Sequence, residues 1–229
     1  MRRASLAALA FALASAGGCA TDSPDSKGAS YAAGAAHAER LQRPPRAGAY
    51  WVYVASESSD EVHLVRFEPA RGRAVVEKTI AVGALPTEIE GPHGLTVAPD
   101  GRHWYLTMAH GKPYGLLYKY ATGTDELVGE VELGLFPATL EISPATGLLY
   151  CVNFDLHGDM RPSSVSIVDP DEMVEVARTT TGPMPHGSRV SPDGLYHYSC
   201  SMMADTLYEI DAVDFSVARV LPLGQAMPG

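Results

Sequence analysis

The sequence predicts an all-β fold built from repeated antiparallel sheets, and three observations carry that expectation. A run of fixed composition occurs twice. Pro92-His93-Gly94 leads through Val97 to Pro99-Asp100-Gly101, and Pro185-His186-Gly187 leads through Val190 to Pro192-Asp193-Gly194. A degenerate third copy begins at Pro137-Ala138-Thr139 and reaches Ser143-Pro144 and Gly147. A tyrosine also opens four short β-rich runs, at Tyr53, Tyr105, Tyr150 and Tyr198, with spacings of 52, 45 and 48 residues. Periods of that length fit four short strands per repeat. Finally, no stretch beyond residues 1–18 sustains a helical apolar period.

Taken in order, residues 1–18 read as a targeting segment. Arg2 and Arg3 form a positive start, and Leu6 to Ala16 is an apolar run too short to span a bilayer. Ala16-Gly17-Gly18-Cys19 resembles the lipobox of bacterial lipoproteins, with alanine where leucine is usual. That resemblance implies lipidation of Cys19 after cleavage, and Ala20 resembles the outer-membrane sorting pattern. Residues 19–48 are rich in Ala, Gly, Ser and Pro and read as a flexible tether with a reach of roughly 30 Å. The repeats occupy 49–229, with units near 50–91, 92–136, 137–184 and 185–229.

Within a unit, strand A is the run that starts at Pro92, Pro137 or Pro185, and strand B is the tyrosine run. Strand C covers Glu61 to Phe67, Leu116 to Tyr120, Ser164 to Asp169 and Thr206 to Asp211. Strand D covers Val75 to Val82, Leu127 to Leu133, Val174 to Thr180 and Val217 to Leu223. Pro-Asp-Gly between A and B is a tight turn: proline fixes φ, aspartate bonds its own backbone, and glycine accepts positive φ. The first unit begins at strand B.

A lone four-stranded sheet cannot bury both faces, whereas sheets stacked radially about a channel can; that arrangement is a β-propeller. The Pro-His-Gly, Ser-Pro-Asp-Gly and Tyr-Val-Thr-Asn-like runs resemble the YVTN-repeat (YncE-like) propellers of bacterial extracytoplasmic proteins, over about residues 50–229. The resemblance implies seven blades in a complete ring. With about four present, further blades are expected downstream of a truncated C-terminus.

Strand parity places the chemistry. The D-to-A and B-to-C connections of an antiparallel blade lie on one side. His93 and His186 open A strands, while His110, His157, Met202 and Met203 follow B strands. All six are expected on one face, with His93 and His186 nearest the channel because strand A is innermost. With Cys200, they form the candidate metal or ligand set. Imidazole, thioether and thiol donors suit copper or another divalent metal. The arrangement resembles the nitrous oxide reductase propeller, although the third A strand has Ala138 in place of histidine. Glu88, Glu90 and His93 form a second candidate set, for a lactonase-like divalent-metal hydrolase. Cys151 and Cys200 differ by one position relative to Tyr150 and Tyr198, so they should point oppositely, which disfavours a disulfide.

A net charge of -10 argues against binding a phosphate backbone. Nucleophile-elbow, phosphate-loop, dinucleotide-binding and haem-attachment motifs are all missing from the sequence, and no catalytic residue is assigned. The expected role is an envelope-anchored binding or scaffold module. Its partner is an envelope protein or a small ligand, and its membrane contact is through the lipid alone.

Overall fold

The computed structural model describes residues 48–85, 87–110 and 115–224. Among the described residues, fifteen strands form four antiparallel sheets. The first sheet contains β1 (Tyr50–Ser56), β2 (Glu61–Glu68) and β3 (Arg73–Ala81) in that order. The second contains β4 (Pro92–Val97), β5 (His103–Met108), β6 (Leu116–Ala121) and β7 (Leu127–Glu132). The third contains β8 (Pro137–Ile142), β9 (Leu149–Asn153), β10 (Ser164–Asp169) and β11 (Val174–Thr180). The fourth contains β12 (Pro185–Val190), β13 (Tyr196–Ser201), β14 (Thr206–Asp211) and β15 (Val217–Pro222). Strand bounds fall within a few residues of those the sequence predicts. The only helical element among the described residues is a 3-10 turn at Pro69–Arg71.

The sheets are blades of a propeller. Strand β4 packs on β1 and β8, and β8 packs on β12, so the A strands line the inner side. Contacts run from blade to blade in sequence order, and among the described residues no strand of the first blade packs extensively on one of the fourth. The described blades therefore form an open arc. Each interface has its own apolar core. Tyr53, Val62 and Ile80 meet Trp104, Leu106 and Tyr120 between blades one and two. Tyr105, Leu117 and Leu133 meet Leu140, Leu149 and Val168 between two and three. Tyr150, Val165 and Ile167 meet Ile210 and Ala212 between three and four.

The A-to-B turns follow the predicted chemistry. Gly101 and Gly194 have φ of 72° and 77°, and each donates its N–H back three residues, to the Ala98 and Ser191 carbonyls at 2.8 Å. Any other residue there is strained. The four tyrosines occupy one equivalent position, and the first three cross to the next blade. Tyr53 Oη donates to Asp125 Oδ1 at 2.8 Å, Tyr105 Oη to the Pro170 carbonyl at 3.4 Å, and Tyr150 Oη to the Ala212 carbonyl at 3.3 Å. All three acceptors lie in the C-to-D turn of the following blade. Both described cysteines are free; Cys151 is buried between blades two and three, where burial pushes its thiol pKa up.

Candidate functional site

The site is built by one local device. Each A strand starts with proline, and the residue before it has a left-handed backbone: Gly91 at φ 64°, Phe136 at 51° and Met184 at 49°. For the two non-glycine residues that conformation costs roughly 1–2 kcal/mol. The carbonyl of each kinked residue accepts the N–H of the residue just past strand B. The pairs are Ala109 to Gly91 at 2.8 Å, Phe154 to Phe136 at 2.8 Å and Met202 to Met184 at 3.0 Å. A second bond follows in blades two and three, His110 N to Glu90 O at 2.9 Å and Asp155 N to Leu135 O at 3.0 Å. The connection into strand A is thus tied to the one leaving strand B, on the face that parity predicts.

Four rings close a cycle at this mouth. His93 meets His186 edge to face at 5.4 Å between centroids, His186 meets Phe154 at 4.9 Å, Phe154 meets Phe136 at 5.5 Å, and Phe136 meets His93 at 5.6 Å. His110 packs on Phe136 from outside, at 4.9 Å. Edge-to-face contact is the favoured geometry for such pairs. His110 Nε2 is 3.0 Å from Glu57 Oε1, which faces it from the first blade. Gly91 makes room for this histidine, because a Cβ there would lie 2.1 Å from His110 Cδ2. Asp60 holds the loop in place by accepting the backbone N–H groups of Glu90 and Gly91.

The electrostatics keep the central imidazoles neutral. Burial pushes the His93 pKa down, Glu57 opposes that in part, and His186 and His110 push it further down. Burial also lowers His186, again partly opposed by Glu57. His93 Nδ1 is buried and has no hydrogen-bond partner. A neutral imidazole with a free ring nitrogen is a ligand or acceptor awaiting a donor.

The structure gathers His93, His186 and His110 into one aromatic cluster. His157 lies in the wall of an adjoining cleft of about 650 Å³ with His110, Phe136, Asp155 and Glu88. Met202 and Met203 are exposed in the β13–β14 turn, and Cys200 is half-buried on β13. Glu90 is engaged elsewhere: its carboxylate accepts the backbone N–H groups of Ala84 and Leu85, the latter at 2.9 Å. Among the described residues no group of three or more His, Cys, Asp and Glu is arranged to hold a metal ion. Sequence reasoning missed Phe136, Phe154 and Glu57. The signal for Phe136 was its place before Pro137, equivalent to Gly91 before Pro92 and Met184 before Pro185.

No sequence family matches the chain, and neither does any curated protein. Solved structures do. Hydrazine synthase of Kuenenia stuttgartiensis aligns with a TM-score of 0.59 at 19% identity, over 73% of this chain and 44% of that one. The dihydro-heme d1 dehydrogenase NirN, in complex with DHE, aligns with a TM-score of 0.57 at 16% identity, over 77% and 37%. A protein of unknown function from Desulfotomaculum acetoxidans aligns with a TM-score of 0.59 at 13% identity, over 76% and 53%. The chain thus spans less than half of the first two structures. At these identities the likeness is one of fold, and that fold is the β-propeller.

Proposed function

We propose that the chain is a binding module whose ligand seats at the inner mouth of the propeller, on His93 and His186. The observation that carries this reading is the pair of neutral imidazoles 5.4 Å apart, with His93 Nδ1 lacking a partner. Two imidazoles on one tetrahedral ion, at metal–nitrogen distances near 2.0–2.1 Å, place their centroids about 5 Å apart. The observed separation is close to that spacing, so His93 and His186 would supply two imidazole donors to a copper or zinc ion. One imidazole of the pair could instead ligate iron inside a macrocycle, and NirN, one of the similar propellers, is described in complex with DHE. Titration of the purified chain with Cu(II), Zn(II) and hemin, each separately, tests both sources. His93→Ala and His186→Ala should each weaken the binding seen by about tenfold or more. Binding of none of the three, or equal binding by both variants, would overturn the reading.

The setting of this module is part of the proposal. Its repeats support membership of the YVTN-repeat (YncE-like) propellers, and Ala16-Gly17-Gly18-Cys19 supports a lipid anchor in the bacterial envelope facing the periplasm. These residues lie outside the described ones. Cys19→Ser should move the protein from the membrane to the soluble periplasmic fraction, and identical fractionation of the two forms would refute the anchor.

A further inference from the structure

The cleft of about 650 Å³ beside the mouth is walled by equivalent pieces of blades two and three. Glu88, Ile89 and His110 come from the connections that enter strand A and leave strand B in blade two. Leu135, Phe136 and Asp155 come from the same connections in blade three. His110 and Asp155 hold one equivalent position, each donating its backbone N–H to the residue two before the proline of strand A. The volume is that of a small-molecule site, and such sites join apolar walls to a few placed polar groups.

The apolar part of this lining is uncovered. Ile89, Leu135 and Leu156 are 57%, 43% and 37% exposed, next to the Phe136 ring. Three large side chains left in water around one cleft offer an occupant apolar area to bury. The charge there has one sign. Arg161 is the one fixed cation among the described residues of the lining, and Asp159 takes it at 2.8 Å. Glu57 takes His110 at 3.0 Å. Glu88 and Asp155 have no cationic partner among the described residues, and Asp155 Oδ1 is buried without a hydrogen bond. A carboxylate withdrawn from water without a donor bears a cost that a cation in the cleft relieves. An anion would meet repulsion instead, and no group of three or more donors among the described residues suits a metal ion.

We propose that this cleft is a second binding site, for an organic monocation with an apolar body, an alkyl- or arylammonium. The body covers Ile89, Leu135 and Leu156 against Phe136, and the ammonium lies toward Asp155 and Glu88. The site does not use the imidazole pair, so it holds whether or not the mouth takes a metal.

Phenethylammonium, phenethyl alcohol and phenylacetate share one apolar body and differ in charge. In calorimetric titrations of the full chain, the ammonium should bind about tenfold more tightly than the alcohol, and phenylacetate most weakly. Asp155→Asn and Glu88→Gln keep the shape and remove the charge, and asparagine tolerates the left-handed backbone at φ 51°. Each should weaken the ammonium about threefold to tenfold and leave the alcohol unchanged. Ile89→Ser should weaken both. No binding of the ammonium, equal affinity for ammonium and alcohol, a preference for phenylacetate, or an ammonium affinity unchanged in both carboxylate variants would each overturn the proposal. These variants leave His93 and His186 in place, so failure here is distinct from failure of the reading at the mouth.

Discussion

His197 occupies the position that holds Trp104 in blade two and Leu149 in blade three, one residue before the tyrosine of strand B. Its ring is fully buried, stacks on Tyr150 at 4.9 Å and shares a hydrogen bond with Ser188 Oγ at 2.7 Å. Burial pushes its pKa down to about 3. The unfolded chain, with an ordinary imidazole near 6.5, takes up the proton first. The contribution of His197 is therefore complete above about pH 6.5 and is lost as pH falls from there toward 3, at about 1.4 kcal/mol per pH unit. His93 and His186 are shifted in the same direction. Denaturant midpoints should thus fall between pH 7 and pH 5. His197→Leu, the residue natural to blade three, should flatten that slope even while lowering stability at pH 7. An identical slope in the variant would exclude this histidine as the source. Gly91→Ala tests the mouth in a similar way. The new methyl would displace His110 and strain a left-handed residue, at a cost of about 1–3 kcal/mol visible in thermal melts.

Between elements, the three crossing tyrosines are not equivalent. Tyr53 bonds a carboxylate that also accepts Trp104 Nε1 at 3.0 Å and Lys78 Nζ at 2.7 Å. Burial alone would raise the pKa of Asp125, but these three donors more than offset it and hold the carboxyl below its usual range. Tyr105 and Tyr150 meet neutral carbonyls over longer distances. Tyr53→Phe should therefore cost about 1.5–3 kcal/mol, and Tyr150→Phe about 0.5–1.5, measured by urea unfolding. Equal costs would deny the charge-assisted bond its special weight. Strand identity and order were legible because the repeat announces itself in residues that set backbone geometry: proline, aspartate-glycine and tyrosine. Parity then placed His93, His186 and His110 on one face. Phe136 escaped because it sits in the degenerate copy, where no histidine drew attention and where a bulky residue takes a φ that sequence patterns assign to glycine. Glu57 escaped because its contact with His110 spans 53 residues and two blades.

At the scale of the whole molecule, stability in a stacked array is approximately a sum over blades and their neighbouring interfaces. Blades two and three have two interfaces each among the described residues, whereas blades one and four have one. Hydrogen exchange should accordingly be slowest in β5, β6, β9 and β10 and fastest in the outer strands β3 and β15. Leu149→Ala, which opens a cavity in the core between blades two and three, should cost 2–5 kcal/mol and speed exchange on both sides of it. Uniform exchange across the strands would indicate a single cooperative unit instead. That about four blades are present, short of a closed seven-bladed ring, was legible from counting the repeats, and among the described residues those blades form an open arc.

The kinked residues before Pro92, Pro137 and Pro185 have a consequence for how such a protein diversifies. Their backbone bonds are made by carbonyls, so the hydrogen-bonded frame does not depend on which side chain is attached. Glycine at one position admits a neighbour's imidazole, phenylalanine at the next builds a wall, and methionine at the third packs half-buried on the apolar core between blades three and four. Exchanging the side chains at these positions would reshape the mouth while leaving the carbonyl bonds that frame it in place, so one backbone device can carry differently shaped mouths.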